Sequence, residues 1–339
     1  MDNQQLFDSI LERAWSLHAS DVHLTTGSRP AFRLHKSLES FEDTPMLTHE
    51  IITGITESVL TPEELETLKR RGDVDTTFRD GQENRFRLNV HRERRGIAIA
   101  IRRLPRTSPL PEEIGLPEKF AKLADEPHGL ILIVGPTGSG KTTTRAALIR
   151  HINRTQKKHI IILEDSTEHT FENENSFIEH RIVGPGKNVH SYAEAISSAM
   201  RQDPDVIFLG DLRDRSTMEA ALSAAQTGHL VVAEVHAGST YQALHRIIAS
   251  FPDISSSVRE QLADQFLGAI AQRIHPRKDG SGQIAAFEVL IGNHAVKSKI
   301  RHGTIETIRD EIQISRDQGM FTLEAYTEEL ARQGIIDSP

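Results

Sequence analysis

Eight residues near the middle of the chain have the types and spacing of a phosphate-binding loop. They are Gly135, Pro136, Thr137, Gly138, Ser139, Gly140, Lys141 and Thr142, which match the pattern G-x-x-x-x-G-K-S/T. Glycines allow backbone N–H groups to close around a phosphate, and the N-terminus of a following helix adds partial positive charge. Lys141 would reach the β- and γ-phosphates of ATP, and the Thr142 hydroxyl would ligate Mg²⁺.

The residues on either side of this P-loop have the patterns that it requires. Residues 130–134 form a short apolar run rich in β-branched residues, which is typical of a buried strand. Residues 143–150 are typical of a helix, so Thr143 is expected to continue the phosphate site from the first helical turn. The order strand, loop, helix therefore predicts a nucleotide site with ATP and Mg²⁺ as cofactors.

Two further apolar runs end in carboxylates. Glu164 follows residues 159–163, and Asp211 follows Val206–Leu209 and a glycine. Ligands of open α/β sheets bind beyond the carboxyl ends of the strands, so both acids are candidate catalytic residues. Asp211 would position or activate water, and both acids would contact the metal on Thr142 through water. Taken alone, each acid is equally well explained as an ordinary residue leaving a strand, but their order after the P-loop favours function.

Two histidines bracket the next apolar run, Leu230–Val235. His229 precedes it and His236 follows it. A histidine here could sense the γ-phosphate through a hydrogen bond, and His229 is included in the candidate catalytic set. The alternative, a structural imidazole with its hydrogen bonds satisfied, has about equal weight. A zinc site is disfavoured because no H-E-x-x-H pattern is present.

Arginines are concentrated between residues 85 and 103, and Arg85, Arg87 and Arg102 are the candidates for catalysis among them. One explanation is a solvated basic sheet edge that discourages strand pairing. A second is binding of a nucleic-acid backbone, which the scarcity of interleaved aromatic residues disfavours. A third is delivery of arginine fingers to a nucleotide, because the planar guanidinium contacts phosphate oxygens bidentately.

Composition limits the class of protein. The 339 residues are 37% hydrophobic and 26% charged, as expected for a globular chain of about two domains. The net charge of −8 disfavours nucleic acid as the main partner. The absence of cysteine excludes disulfides and Cys-ligated zinc and is compatible with a reducing cytosol. We expect no signal peptide and no direct membrane insertion, so that membrane association would depend on a partner.

The pattern of the chain changes at a proline-rich stretch. Residues 1–103 mix helices with strands of alternating polarity, and residues 104–117, with Pro105, Pro109 and Pro111, are predicted to be a linker. In residues 118–339 buried strands alternate with helices, which predicts an α/β fold with a parallel sheet covered on both faces. The end of the chain, from about Ser255, is predicted to be mainly helical apart from a strand near 284–290.

Taken together, the motifs resemble those of the secretion-superfamily ATPases, and most closely the retraction ATPases of type IV pili. The resemblance extends from about Leu6 to Ile336. It rests on residues 19–24, 85–87, 135–142, 164–165, 203–214 and 227–230, with weaker matches at 295–301 and 319–323. The assembly-type relatives usually carry a four-cysteine zinc module, which a chain without cysteine does not have.

The resemblance implies a PAS-like N-terminal α+β domain joined to a RecA-like P-loop ATPase domain with a helical C-terminal tail. ATP would lie between the domains, with Arg85, Arg87 and Arg102 reaching it. The implied function is a cytoplasmic homo-hexamer that couples ATP hydrolysis to pilus retraction and twitching motility. Its partner would be an inner-membrane pilus or secretion platform protein, which would hold it peripherally at that membrane.

The chain departs from the family pattern at two site positions. The family has G-E-M-R-D where this chain has Asp211 in place of the glutamate, so the carboxylate reaches roughly 1.5 Å less far. A misplacement of ~1 Å can cost about a hundredfold in rate, which leaves slow hydrolysis or compensating backbone shifts as alternatives. Where the family has G-T-L-H-T, this chain has Glu234 before Val235 and His236. An acid there would be unusual unless it points away along the strand.

Three alternative functions therefore remain. One is an ATPase of a conjugation or type IV secretion system, since the tail motif at 295–301 is only half retained. Another is a nucleotide-binding regulatory subunit that hydrolyses ATP weakly, which Asp211 and Glu234 favour. The third is a nucleic-acid motor, which the net charge of −8 disfavours.

Overall fold

A computed structural model describes residues 2–34, 37–184 and 187–337 of the chain. The fold divides into two compact units, Met1–Thr107 and Ser108–Pro339. This boundary falls inside the predicted linker, 104–117, and the residues after it belong to the second unit. Leu116, for example, is buried in the same apolar cluster as Phe120 of that unit.

The first unit combines helices with an antiparallel sheet, as its alternating polarity predicts. Its elements are α1 (Asn3–Ser16), β1 (Asp21–Thr25), β2 (Ala31–Leu34), β3 (Ser37–Ser40), α2 (His49–Val59), α3 (Pro62–Arg71), β4 (Asp73–Arg79), β5 (Arg85–Glu93) and β6 (Gly96–Arg103). The sheet order is β3-β2-β1-β6-β5-β4. Phe7 and Leu11 of α1 pack in one apolar core with Leu88 and Ile101 of the sheet.

The second unit is built around a largely parallel sheet. Its elements are α4 (Glu118–Ala121), β7 (Gly129–Val134), α5 (Lys141–Thr155), β8 (His159–Glu164), β9 (Phe177–Ile182), α6 (Tyr192–Ala199), β10 (Val206–Leu209), α7 (Arg215–Gln226), β11 (Leu230–Val235), α8 (Thr240–Ala249), α9 (Ser255–Gln265), β12 (Phe266–Pro276), β13 (Gln283–Ile291), α10 (His294–His302), α11 (Ile308–Ile314) and α12 (Leu323–Arg332). The strand order is β13-β12-β7-β11-β10-β8-β9, and β13 alone pairs antiparallel within the described residues.

Both faces of this sheet are covered, because successive side chains of a strand point to opposite sides. Leu130, Leu132 and Val134 of β7 pack into a cluster with residues of α6 to α10. Ile131 and Ile133, which alternate with them, pack on the other face with residues of α5. The α/β prediction, with helices at the C-terminal end, is confirmed.

Two strands were not expected from the sequence. The chain from Ser255 to the strand near 284 was predicted to be helical, but β12 pairs with β7 and with β13. A short apolar run such as residues 266–274 cannot be assigned to strand or buried helix by periodicity alone. The half-exposed edge strand β9 was also missed, since its mixture of polar and apolar residues has little contrast.

Within the described residues, the helices are too short or too polar to cross a bilayer.

Candidate functional site

The P-loop connects β7 with α5, as the sequence predicts. Gly138 and Gly140 have φ angles of 78° and 88°, in the left-handed region that favours glycine, and Gly140 directly precedes the helix. Thr142 and Thr143 lie in the first turn of α5 and are partly exposed. The loop therefore has glycines where its backbone needs positive φ and leads directly into a helix N-terminus, where a phosphate is favoured.

Lys141 lies inside this loop, with its ammonium bound to the loop's own carbonyls. Its Nζ donates to the carbonyl oxygens of Gly135 and Pro136 at 3.0 and 3.1 Å and lies 3.4 Å from Nδ1 of His236. Burial lowers the pKa of Lys141, although Glu234 and Asp211 act in the opposite direction. A phosphate entering the loop would give this buried ammonium a charged partner in place of neutral carbonyls.

Gln272, on the unpredicted strand β12, holds the P-loop in place. Its Nε2 donates to the carbonyl oxygen of Ser139 at 2.7 Å, and its Oε1 accepts from the hydroxyl of Thr144 at 2.9 Å. The side chain is buried. A single amide thus connects the loop, the helix and the neighbouring strand. The signal in the sequence was a lone glutamine within an apolar run.

Asp211 follows β10 at the same edge of the sheet. Its Oδ2 accepts from Nε of Arg213 at 2.5 Å and lies 3.2 Å from Nε2 of His236. Arg213 also donates to Asp165 at 3.2 Å, across the end of β8. The other oxygen, Oδ1, is buried and has no hydrogen-bond partner in the part of the chain that the structure describes.

The unpartnered Oδ1 of Asp211 and the Thr142 hydroxyl fit the Mg²⁺ that a P-loop implies. Mg²⁺ in such sites is bound by one or two protein oxygens, substrate phosphates and several waters. Residues 2–34, 37–184 and 187–337 contain no cluster of three or more His, Asp or Glu side chains that could hold a metal ion by themselves. The Asp211 and Thr142 oxygens therefore suit a Mg²⁺ ion whose other ligands are nucleotide phosphates and water.

Glu164, the last residue of β8, is paired with two side chains of the second unit. Oε2 accepts a hydrogen bond from Nη2 of Arg145, and Oε1 lies 2.7 Å from Nε2 of His180. The side chain is buried, so both oxygens are already occupied by cationic or imidazole donors. Glu164 is thus the counter-ion of Arg145, and its assistance to the metal through water stays a prediction.

His229 lies at the wrong edge of the sheet for the predicted role. Strands β7 and β11 run parallel, and the amide of Gly129, at the start of β7, donates to the carbonyl of His229 at 3.1 Å. The P-loop follows the opposite end of β7, roughly 20 Å away along a strand of this length. His229 instead contacts the C-terminal end of α7, with Nδ1 3.0 Å from the carbonyl oxygen of Ala224. His236 is the histidine that reaches the P-loop.

Arg85, Arg87 and Arg102 lie in the first unit, on β5 and β6. Arg87 and Arg102 are register partners, and Nε of Arg102 donates to Asp21 at 2.8 Å. Arg87 lies 3.9 Å from Asp75, and Arg85 is buried. The three candidates therefore come from adjacent strands of one sheet. Their proximity to a nucleotide stays a prediction.

A cleft of about 340 Å³ adjoins the P-loop within the second unit. Its walls include Gly140 and Thr143 of the phosphate site, Gln272 and Phe287 of the sheet, and Arg277. Mixed apolar and polar walls beside a phosphate loop are suited to a nucleoside.

A P-loop at the end of a central parallel strand, with an acid at the end of a neighbouring strand, defines a P-loop nucleotide-binding protein. Residues 3–289 match the family described as "Type II/IV secretion system protein", and the chain belongs to that family.

Named relatives agree with this assignment over nearly the full length. The chain is 35% identical over 327 residues to the twitching motility protein of Neisseria gonorrhoeae, covering 94% of this chain and 87% of the relative. It is 33% identical over 319 residues to the type IV pilus retraction ATPase PilT of Pseudomonas aeruginosa, covering 94% and 92%. Among solved structures, the pilus retraction motor PilT with bound ADP is similar with a TM-score of 0.89 and 38% identity, covering 97% and 94%.

Proposed function

We propose that the chain is an ATP-hydrolysing motor of type IV pilus retraction. The observation that carries this proposal is the meeting of Lys141, His236 and Asp211 at one sheet edge, with an oxygen of Asp211 left for a ligand. Similarity over nearly the whole chain to a retraction motor solved with ADP supports the same conclusion.

The chain's own residues would divide the work as follows. Lys141 would exchange the carbonyls of Gly135 and Pro136 for phosphate oxygens, and the adjoining cleft would hold the nucleoside. Thr142 would hold Mg²⁺, whose charge would neutralise the phosphate oxygens when it is bound. Asp211 would use Oδ1 to orient the attacking water or a metal-bound water.

His236 would report the state of the phosphates. Burial and the neighbouring Lys141 lower its pKa, so that the neutral imidazole is favoured at pH 7. In that form Nδ1 can accept from Lys141 at 3.4 Å. Movement of Lys141 onto a phosphate would break this contact and let His236 reorient.

The finer parts of the proposal follow the resemblance. Six copies would assemble in the cytoplasm on an inner-membrane platform protein. Arg85, Arg87 or Arg102 would stabilise the transferring phosphoryl group, because a guanidinium can contact two of its oxygens.

The proposal is tested by phosphate release as a function of protein concentration, which reports turnover and assembly together. Lys141→Ala should lower the rate at least a hundredfold, in the range found for loss of a transition-state donor. Lys157→Ala, an exposed lysine after α5, is the matched control and should keep the wild-type rate. Equal phosphate release by wild type and Lys141→Ala would refute the assignment. Restoration of twitching in a retraction-deficient strain would then distinguish pilus retraction from secretion.

A weakly hydrolysing regulatory subunit is the second candidate. The observation in its favour is that Glu164 is neutralised by Arg145, which leaves the shorter Asp211 to face the phosphates. Tight ADP binding with negligible phosphate release at every protein concentration would favour this function over the motor.

A further inference from the structure

A buried arginine that the proposed mechanism does not use lies directly beneath the candidate site. Arg145 is four residues after Lys141 on α5, so both side chains lie on the face of the helix that meets the sheet edge. It is only 5% exposed. Burial opposes its charge, but Glu234 and Glu164 outweigh that effect and raise the pKa of Arg145.

The guanidinium joins two strands that are not neighbours in the sheet. Nη2 donates to Glu164 at the end of β8, and Nη1 lies 3.3 Å from Oε1 of Glu234 on β11. Strand β10 lies between β8 and β11, so Arg145 spans its carboxyl end. Glu234 thus does not point away along its strand but toward the helix that begins with the P-loop.

Gly210 leaves room for the crossing. A Cβ at this position would lie 3.1 Å from Nη1 of Arg145, 3.2 Å from Cα of Glu164 and 2.7 Å from the hydroxyl of Tyr192. The next residue is Asp211. The guanidinium therefore packs against the first residue of the turn that carries the candidate water-orienting acid.

The backbone of that turn is attached to the same two strands. The amide of Gly210 donates to the carbonyl of Leu163 at 2.8 Å, and the amide of Leu212 donates to the carbonyl of Glu234 at 2.9 Å. The turn that carries Asp211 is thus attached on one side to Leu163, the residue before Glu164, and on the other side to the backbone of Glu234. A shift of either glutamate would be passed to Asp211 through a single hydrogen bond.

We propose that Arg145 is a positioning residue for hydrolysis, held in place by Glu164 and Glu234. It fixes the turn at residues 210–212 relative to the P-loop helix, and it keeps the charge of Glu164 away from the phosphates. This inference rests on the proposed ATPase function. Simple stabilisation is a weaker explanation, because buried ion pairs are often no more stabilising than apolar residues of similar size.

The decisive variant is Arg145→Met together with Glu234→Leu. It removes the ion pair between Arg145 and Glu234 and replaces both charges with apolar side chains. Glu164 still has His180, at 2.7 Å, as a partner. The expected result is an ADP affinity within threefold of wild type and a kcat at least tenfold lower, since small misplacements of a positioned group are costly in rate. Arg154→Met, the same substitution at an exposed arginine of α5, is the control for an altered helix surface and should leave kcat unchanged.

A conservative pair separates positioning from bulk stability. Glu234→Gln keeps an oxygen that can accept from Arg145, whereas Glu234→Leu has similar size and no acceptor. We expect Glu234→Gln to retain kcat within threefold of wild type and Glu234→Leu to lose at least tenfold, with KM for ATP unchanged in both. A wild-type kcat in the folded double variant, or equal kcat values for the two Glu234 variants, would overturn the proposal. Failure of the ATPase assignment is distinguishable, because wild type would then release no phosphate.

Discussion

Glu234 should make the stability of the second unit depend on pH near neutrality. Burial raises the pKa of Glu234 from 4.5 to about 7; Arg145 and Lys141 of α5 lower it, and Glu164 of β8 and Glu168 after it raise it further. The folded chain therefore binds this proton more tightly than the unfolded chain does. Protonated Glu234 therefore contributes to the free energy of unfolding. This contribution is fully present below about pH 4.5 and is lost as the pH rises through 7.

The structure also sets the size of the effect. The gap between 4.5 and about 7 corresponds to a loss on the order of 3 kcal/mol in the free energy of unfolding, at about 1.36 kcal/mol for each pKa unit. Glu234→Gln has no proton to lose, so the stability of this variant relative to wild type should increase by that amount between pH 4.5 and 8.5. For a unit of this size the change is about 6 to 12 °C in Tm.

Thermal unfolding of wild type and Glu234→Gln across this pH range is the assay. Other titrating groups are common to both proteins, so the difference between them isolates Glu234. Glu260→Gln, at an exposed acid of α9, controls for the loss of one carboxylate from the surface. If the difference in Tm between wild type and Glu234→Gln is the same at pH 4.5 and pH 8.5, Glu234 does not titrate in this range and the reasoning is wrong.

Four further outcomes follow from the site. Gln272→Leu removes the amide contacts to the P-loop and α5, so ADP affinity measured by calorimetry should fall about tenfold, or about 1.4 kcal/mol; unchanged affinity would exclude this role. Gly210→Ala places a Cβ 2.7 Å from the Tyr192 hydroxyl and should cost roughly 1–3 kcal/mol in unfolding experiments; an unchanged Tm would contradict the packing argument. Asp211→Glu must fit a longer acid beside Arg213 at 2.5 Å, so steady-state hydrolysis should fall, whereas a rise would show that the shorter acid limits turnover. Chelation of Mg²⁺ with EDTA should abolish phosphate release, and added Mg²⁺ should restore it; metal-independent turnover would refute the metal assignment.

The parts of the site that were predictable are those encoded by local sequence. The P-loop is a contiguous pattern, and its neighbours in the fold are short apolar runs with an acid at the end, as at Asp211. Convergence of these strand ends follows from a general property of parallel sheets, in which carboxyl ends meet at one edge. The same property could have decided between His229 and His236, because only the residue after β11 lies at the P-loop edge.

The parts that were missed depend on pairing between distant segments. Gln272 lies on a strand where the sequence predicts helix, and a helix there does not bring it beside Ser139. Arg145 and Glu234 are each an isolated charge in an apolar segment, and their contact is visible only once α5 is packed on the sheet. A lone buried charge in a sequence therefore predicts that a partner exists, but it does not identify the partner.

Asp211, the shorter acid at the predicted water-orienting position, belongs to a connected set of charged and imidazole side chains. Its Oδ2 contacts Arg213 at 2.5 Å and lies 3.2 Å from His236, which in turn contacts Lys141. A glutamate would extend the carboxylate by roughly 1.5 Å and could not keep these contacts without moving the turn. Glu164 is already bound to Arg145. Oδ1 of Asp211, by contrast, has no hydrogen-bond partner among the described residues. Asp211 is thus held by contacts with Arg213 and His236, and we expect this fixed position to offset its shorter reach during hydrolysis.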